Sequence, residues 1–375
     1  MKFIDDIPQK NIQNKTCFLR LDLNVQDEEL KHSIRIERSI SVIKYLLKNN
    51  CKIIIISHRG RPQERRLTLT QTQTNADKSI TLKPFVEIFK KMLKINVFFD
   101  NSFDFKKIKN KINKLLPKSI LVLENIRLIK GEEKNDPKFG KILASLGDFY
   151  INDAFSVSHR ENASVCAITK YLPSYGGLEM KDELKSLNKV MTKPQKPLTL
   201  ILGGAKISDK IGVIEKFYNQ VDYILLGGGV ANTFFSAQNI PIGDSIFEKD
   251  MIPKIKKYLN SKKIIMPKDV VFDGAKILDI GKETSKIYSD IIKSSKTVIW
   301  NGPMGLIEKK KFETGTTEVA KAIKNSKSFA LIGGGETTSF LLKRKILKNQ
   351  KSVFLSIGGG AMLEYLSGKK LPGLL

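Results

Sequence analysis

Four short segments of the chain place two or three glycines between an apolar run and a helix-like stretch. They read LTLILGGAKISDKI, YILLGGGVANTFF, FALIGGGETTSFLL and VFLSIGGGAMLEYL. Glycines at a strand end let the backbone approach a ligand closely, and the free N–H groups of a following helix favour negative charge. Any one segment alone is as typical of a plain strand-to-helix turn, and none is a Walker A loop or a dinucleotide fingerprint. Together, with Lys206 and Lys210 in the first, they predict several anion-binding corners.

Positively charged side chains recur in the first half of the chain, where apolar runs end. LRLDLNV places Asp22 and Asn24 two residues apart at the end of such a run. The cationic candidates that follow are Arg35, His58, Arg61, Arg127 and Arg160. A guanidinium group forms two parallel hydrogen bonds to a phosphate or a carboxylate. One arginine alone is typical of a surface ion pair, but the recurrence at strand ends predicts a shared anion-binding crevice.

The elements that must carry these residues are strands alternating with helices. TCFLRLDLNV, CKIIIISH and DFYINDAF are strand-like in the first half, and LTLILGG, TVIWNGP and FALIGGG in the second. KIIMPKDVVF is predicted as one further strand, whereas the apolar spacing in DFKKIKNKINKLLPK predicts a helix. The predicted fold class is α/β, with two domains that are each a Rossmann-like, three-layer parallel sheet covered by helices.

A turn-rich stretch in the middle of the chain separates the two sets of strands. YLPSYGGLEMKDELKSLNKVMTKPQKP holds two clusters of turn residues around a helix predicted from about Leu178 to Met191. We interpret residues 173–192 as a hinge helix region that joins an N-terminal domain, residues 1–172, to a C-terminal domain, residues 193–355. A chain of 375 residues can fill two cores of this size.

The composition argues against several classes of protein. Three widely spaced cysteines do not suit a disulfide framework or a zinc site, and they favour a cytoplasmic location. The N-terminus resembles no signal peptide, and no apolar run approaches the roughly 20 residues of a membrane-spanning helix, so no membrane partner is expected. The formal charge of +27 comes from lysines spread along the chain. Because nucleic-acid signatures are missing, we expect solvated lysine faces rather than a nucleic-acid partner.

Several motifs, in order along the chain, resemble those of phosphoglycerate kinases. They include RLDLNV, SHRGRP, LENIRLIKGEEKNDP, INDAFSVSHRENAS, LGGAKISDKIGVIE, VIWNGPMGLIE, IGGGETTSF and SIGGGAMLEYLSGKKLPG. The resemblance begins near residue 16 and continues to the C-terminus, so it covers essentially the whole chain. It implies a two-domain glycolytic kinase that transfers a phosphoryl group between 1,3-bisphosphoglycerate and ADP, or from ATP to 3-phosphoglycerate.

The resemblance also assigns roles by position. The residues that match the family's phosphoglycerate site are Asp22, Asn24, Arg35, His58, Arg61, Arg127, Arg160, Gly358, Gly359 and Gly360. Those that match its nucleotide site are Gly203, Lys206, Lys210, Gly228, Asn301, Glu308, Gly334, Gly335, Glu336 and Thr337. Arg35 and Lys206 would be catalytic, and Glu336 would contact the Mg²⁺ that accompanies ATP or ADP. The family pattern further implies a monomer whose residues 356–375 return to the N-terminal domain.

The sequence departs from the family pattern at four places. Glu336 stands where an aspartate is usual, and the segment before Leu278 is shorter than usual. Ile357 and Met362 replace hydroxyl residues, and Arg59 is an additional arginine. None of these changes deletes a charge that phosphoryl transfer needs, so we expect them to affect nucleotide affinity and base preference rather than the reaction.

Three other functions remain open on the sequence alone. The first is a binding protein that keeps the fold, has lost turnover and uses its basic surface. The second is a nucleic-acid-binding role for the charge of +27, and the third is a different acyl-phosphate kinase. The retained Arg35, Lys206 and Lys210 argue against the first of these, since a decayed site usually loses such residues.

Overall fold

The computed structural model describes residues 1–60, 62, 80–347 and 350–374. The chain divides into two compact units, residues 1–184 with 370–375 and residues 185–369. Among the residues described, none of the helices has the length and apolarity needed to cross a membrane. Because Arg61 falls outside the described ranges, the prediction for this residue is not addressed below.

The first unit is built on one parallel sheet. Its strands are β1 (Thr16–Leu21), β2 (Lys52–Ile56), β3 (Val97–Asp100), β4 (Ile120–Leu123), β5 (Phe149–Asp153) and β6 (Ser174–Gly176). They lie in the order β3-β4-β2-β1-β5-β6. Alternate side chains point to opposite faces of a strand, so Ile53 and Ile55 of β2 pack in one core while Ile54 and Ile56 pack in another. Burial on both faces explains why residues 53–56 of β2 are continuously apolar.

The helices of the first unit are α1 (Ile34–Lys48), α2 (Pro84–Leu93), α3 (Phe105–Lys114), α4 (Lys130–Glu133) and α5 (Pro137–Ala144). The predicted helix in DFKKIKNKINKLLPK is confirmed as α3. Its first turn is capped by Asp104, whose carboxylate accepts the N–H of Lys107 at 3.0 Å. Ile108 and Ile112 bury its apolar side. Helix α6 (Leu178–Thr192) then contains the boundary between the two units.

The second unit has a parallel sheet of six strands and a separate hairpin. Its strands are β7 (Leu198–Leu202), β8 (Tyr223–Leu226), β9 (Ile264–Ile265), β10 (Val270–Asp273), β11 (Lys276–Ile280), β12 (Thr297–Asn301), β13 (Phe329–Gly333) and β14 (Val353–Leu355). The parallel order is β14-β13-β12-β7-β8-β9, and β10 pairs only with β11, antiparallel. The single strand predicted over KIIMPKDVVF was wrong. Pro267 stands between β9 and β10, and a proline cannot donate to a sheet ladder.

The helices of the second unit are α7 (Ile211–Phe217), α8 (Gly228–Ala237), α9 (Ile252–Ile255), α10 (Lys282–Ser294), α11 (Thr314–Asn325), α12 (Gly335–Arg344) and α13 (Gly360–Leu366). Helix α13 contacts α7. Residues 356–369 therefore lie in the second unit, whereas the predicted boundary assigned 356–375 to the first. The physical reason is that β14 is an edge strand of the second sheet and α13, which follows it, packs against α7 of the same unit. Only residues 370–375 belong to the first unit, where Gly373 donates its N–H to the carbonyl of Ser158 at 2.8 Å.

Asp153 is a buried carboxyl at the carboxyl end of β5. One oxygen accepts the N–H of Met180, in the first turn of α6, at 3.0 Å. The other oxygen has no hydrogen-bond partner within the described part of the chain. Burial raises the pKa of Asp153 to about 7, helped by the negative charges of Glu179 and Asp182 and opposed by backbone N–H groups.

This pKa predicts a stability change between pH 4 and pH 7. The unfolded chain releases the proton near its ordinary pKa of about 4, whereas the folded chain keeps it to about pH 7. The free energy of unfolding should therefore fall as the pH rises across this window. Asp153→Asn cannot titrate, so relative to wild type it should gain more than about 1 kcal/mol between pH 5 and pH 8 in urea unfolding. A constant difference between the two proteins would contradict this.

Candidate active site

The predicted cationic residues of the first unit lie at the carboxyl ends of neighbouring strands. Asp22 follows β1, His58 follows β2, and Arg127 lies in the short 3-10 helix Ile126–Leu128 after β4. Arg160 follows β5, and Arg35 is the second residue of α1. Because β4, β2, β1 and β5 are adjacent in the sheet, these residues meet at one edge, as the sequence predicted.

Asp22 and Asn24 organise the start of this cluster. Asp22 is buried, pairs with the guanidinium of Arg35 and accepts the hydroxyl of Ser156 at 2.5 Å. The side chain of Asn24 accepts the N–H of Gly60 at 2.9 Å. Burial lowers the pKa of Arg35, and the nearby charges of Glu183 and Glu179 oppose the shift. Arg35 is thus held in place by a carboxylate while about a quarter of its side chain remains exposed, with a relative area of 25%.

His58 is a neutral histidine buried among arginines. Arg20 Nη2 lies 3.0 Å from His58 Nδ1, and a guanidinium can only donate, so Nδ1 must accept and the ring proton sits on Nε2. Burial lowers the pKa of His58 well below its ordinary value, and the charges of Arg20, Arg127, Arg160 and Arg35 lower it further. His58 therefore offers a hydrogen-bond donor to this cluster without adding a positive charge.

Arg127 carries a buried charge that is incompletely matched by carboxylates. Its Nη1 donates to the carbonyl of Gly60 at 2.9 Å, but its buried Nε finds no hydrogen-bond partner among the described residues. An oxygen of the Glu133 carboxylate lies 3.9 Å from this Nε. Burial, followed by repulsion from Arg160 and Arg20, lowers the pKa of Arg127 to about 10. A bound anion would relieve this repulsion, so the cluster suits a phosphate or a carboxylate.

Arg59, the additional arginine, is a structural residue. Only 2% of it is exposed. Its Nε donates to the carbonyl of Val25 at 2.7 Å, Nη1 donates to the carbonyl of Thr81 at 3.3 Å, and Nη2 lies 2.5 Å from Asp27. Its guanidinium also stacks over the ring of Phe85. These contacts account for its charge inside the first unit.

The second unit contains a cavity of about 780 Å³ at the carboxyl edge of its sheet. The lining residues come from the segments that follow β7, β12, β13 and β14. These four strands are neighbours in the sheet. The predicted residues that line it are Lys206, Lys210, Asn301, Gly334, Gly335, Glu336, Thr337, Gly359 and Gly360. Most of the predicted nucleotide-site residues are thus brought together.

Two buried polar groups in this cavity are left without partners. Asn301 Nδ2 and Thr337 Oγ1 have no hydrogen-bond partner within the described ranges, although 4% and 0% of these residues are exposed. Gly334 lies beside them with φ of +97°, a conformation that L side chains rarely adopt, and a Cβ here would lie 3.3 Å from Asn301 Nδ2. Buried polar groups normally have partners. Both atoms are therefore placed to form a hydrogen bond with a ligand oxygen.

The two lysines of the cavity differ in environment. Lys206 is exposed, whereas Lys210 is buried and donates from Nζ to the carbonyl of Lys206 at 3.1 Å. Burial lowers the pKa of Lys210, and the charges of Asp209, Glu336 and Glu248 oppose the shift. Glu336 is exposed in the first turn of α12. An exposed lysine side chain and a buried, hydrogen-bonded one therefore line the same cavity.

Four of the predicted site residues lie elsewhere. Gly203 is buried, and a Cβ there would collide with the carbonyl of Pro303, so it permits the close approach of two strand ends. Gly228 lines a second, narrow cavity. Glu308 is exposed and lines neither of these cavities. Gly358 is buried and also lines neither of them, although it directly precedes Gly359 and Gly360 in the sequence.

The glycines of the last corner lie in an unexpected place. The resemblance assigned Gly358, Gly359 and Gly360 to the phosphoglycerate site, yet all three belong to the second unit. Gly359 and Gly360 line the same cavity as Lys206. The three glycines lie there because they follow β14 and lead into α13, and both of these elements belong to the second unit.

Several polar residues at these sites were not predicted. Arg20 is fully buried and also donates to the Ser164 hydroxyl at 3.2 Å. That hydroxyl in turn donates to Glu132 at 2.6 Å. Asp279 lines the narrow cavity, accepts the N–H of Gly315 at 2.9 Å, and has its pKa raised by burial to about 6. The only sequence signal for Arg20 is that it is a charged residue within an apolar strand-like run. No motif or spacing in the sequence identifies Asp279 as a site residue.

One unit carries an arginine cluster at the edge of its parallel sheet. The other carries a cavity lined by glycines and two lysines. Together these features define the class of the protein as an α/β phosphotransferase. A sequence model described as phosphoglycerate kinase matches residues 4–369. A phosphoglycerate kinase of a Wolbachia from Drosophila simulans is 38% identical and aligns over 99% of this chain and 98% of its own. One from Finegoldia magna is also 38% identical, over 97% and 96%.

Two solved structures are similar over the whole chain. The phosphoglycerate kinase of Coxiella burnetii has a TM-score of 0.80 at 28% identity and covers 99% of this chain and 97% of its own. That of Pyrococcus horikoshii has a TM-score of 0.83 at 27% identity, over 100% and 98%. The chain belongs to the phosphoglycerate kinase family. Its activity is phosphoryl transfer between 1,3-bisphosphoglycerate and ADP, reversibly, and the alternative of a binding protein finds no support.

Proposed function

We propose that the two clusters divide the substrates of this reaction. The arginine cluster, formed by Arg20, Arg35, Arg127 and Arg160 around His58, binds the anionic phosphoglycerate. The cavity of the second unit binds the phosphates of ATP or ADP. The observation that carries this division is the pair of buried, unpartnered donors, Asn301 Nδ2 and Thr337 Oγ1, at the meeting point of four strand ends. Backbone N–H groups and lysines at such an edge suit phosphate.

The chemistry requires alignment and charge neutralisation more than proton transfer. The acceptor in the ATP-consuming direction is a carboxylate that is already ionised at neutral pH, so no general base is needed. A neutral His58 agrees with that requirement, because its low pKa removes it as a physiological acid. We assign Arg35 to the charge that develops on the moving phosphoryl group, Lys206 to the transferred group, and Lys210 to the nucleotide phosphates.

The cavity also fits a nucleotide-bound magnesium ion. In proteins Mg²⁺ is usually held by one or two carboxylates together with substrate phosphates and water. Glu336 supplies one such carboxylate at the cavity, and no cluster of three or more potential ligands occurs among the described residues. When bound, the ion would offset charge on the phosphates. Glu336 would hold it, despite being one methylene longer than the aspartate typical of the family.

We also propose that the chain works as a monomer in the cytoplasm. All three cysteines are free thiols, with Cys17 and Cys51 buried and Cys166 half-buried, which suits a reducing compartment.

The proposed function predicts turnover of ATP with 3-phosphoglycerate. Purified protein should phosphorylate 3-phosphoglycerate in a coupled assay, and chelating magnesium should abolish the rate. Acetate, a carboxylate without the phosphate that the arginine cluster binds, should not replace 3-phosphoglycerate. Equal turnover with both acceptors would contradict the assignment of the arginine cluster.

Arg35→Ala should lower kcat by at least about a hundredfold, with a modest change in KM, because the lost interaction forms mainly in the transition state. Arg35→Lys should restore only part of the rate, since an ammonium lacks the planar fork. Arg38→Ala is the matched control: Arg38 lies one turn further along α1 and pairs with Glu179 at 2.7 Å. If both alanine variants lose kcat equally, Arg35 has no specific catalytic role.

Glu336→Asp should change kcat by less than about tenfold, roughly 1.4 kcal/mol, because it keeps the carboxylate at the cavity. Glu336→Ala should cost far more and should raise the magnesium concentration needed for half-maximal rate. Rates measured across a magnesium titration test both statements. Normal turnover of the alanine variant at limiting magnesium would show that Glu336 is not the metal contact.

A further inference from the structure

Glu248 is a carboxylate outside the predicted site that binds the lysine-bearing loop. The loop is defined here as residues 204–210, which follow β7 and carry Lys206 and Lys210. One oxygen of Glu248 accepts the N–H of Ser208 at 2.8 Å, and the other accepts the Ser208 hydroxyl at 2.7 Å. Ser208 lines the cavity and lies midway between the two lysines. Because Ser208 donates two hydrogen bonds to one carboxylate, both its position and its orientation are fixed.

The backbone of Glu248 is itself tied to the neighbouring glycine corner. Its N–H donates to Thr233 Oγ1 at 3.1 Å, and that hydroxyl donates to the carbonyl of Gly229 at 2.8 Å. A Cβ at Gly229 would collide with the carbonyl of Ala205, so this corner packs directly on the loop. Glu248 therefore connects the start of α8 to the loop through both its backbone and its side chain.

The charges around the loop agree with this connection. Partial burial alone would raise the pKa of Glu248, but hydrogen bonds from Ser208 and the Ile207 N–H, with the charge of Lys206, lower it. Glu248 is also one of the three carboxylates, with Asp209 and Glu336, that oppose the effect of burial on Lys210. The carboxylate thus remains ionised beside the loop and helps to keep Lys210 protonated.

We propose that Glu248 is a positioning residue that holds the loop so that Lys206, Lys210 and the loop amides meet the nucleotide phosphates. The proposal rests on the proposed nucleotide site. Glu248 itself lines neither cavity, so it acts through Ser208. Its removal should weaken interactions with phosphates and leave those with the nucleoside unchanged.

A series of ligands with increasing numbers of phosphates tests this. Calorimetry should show that Glu248→Ala lowers the affinity for ADP by about tenfold or more, that for AMP by less, and that for adenosine not at all. Glu248→Gln should recover part of the loss, because one oxygen still accepts the Ser208 N–H. Asp250→Asn, which removes a charge from an exposed residue two positions away, should bind all three ligands like wild type.

A double-mutant cycle supplies the second measurement. Ser208→Ala removes only the hydroxyl contact, so its effect on ADP affinity should be smaller than that of Glu248→Ala, and the two effects should not add. Additive losses, no loss, or an equal loss for adenosine and ADP would overturn the role of Glu248. If wild type binds adenosine as tightly as ADP, the nucleotide site proposed above is itself wrong.

Discussion

Both units depend on one constraint, which is that the strands of a parallel sheet all end at the same edge. Parallel neighbours cannot be joined by a short hairpin, so each strand must leave the sheet there and cross over. In the first unit β1 and β2 are central, and in the second β7 and β12 are central. Their following segments are crowded together, and whatever residues they contain become neighbours. Residues far apart in sequence, such as Asp22 and Ser156, meet for this reason.

The two sites that we propose for anions are built by different means. In the first, guanidinium groups are packed so closely that burial and mutual repulsion lower the pKa of Arg127 to about 10. Such a cluster needs neutral or negative support, which the unprotonated His58 Nδ1 and Asp22 supply to Arg20 and Arg35. In the second, the donors are backbone groups, amides and hydroxyls, and the two lysines add the charge. That arrangement needs glycines where the strands end, and one carboxylate outside the cavity, Glu248, is hydrogen-bonded to the loop that carries the lysines.

The sequence predicted the α/β class, most strands, and most of the residues that meet at each edge, because apolar period and strand-end position are local signals. It did not predict β6 or β11, which are short or lie in turn-rich, half-exposed segments. It placed Gly359 with the wrong unit, because the contact of α13 with α7, which keeps the residues after β14 in the second unit, is long-range and leaves no local signal. Arg20 and Glu248 were missed for a related reason. Their importance lies in which side chain they reach, and neither residue type nor spacing records that.

Three of the departures from the family pattern are accommodated by contacts within this chain. The shortened segment before Leu278 is closed by the two-residue turn Gly274–Ala275 between β10 and β11, with Gly274 at φ of +57°, which suits the first position of a type II′ turn. Met362 is buried and packs against Gly333, where a Cβ would collide with its sulfur. Both changes lie beside cavities of the second unit. Arg59 does not alter the charged groups of the arginine cluster, because its guanidinium contacts Val25, Thr81 and Asp27 instead. If the proposed sites are correct, their physical demands explain this difference: a nucleotide site built from backbone groups would tolerate altered side chains around it, whereas a cluster of buried charges would not.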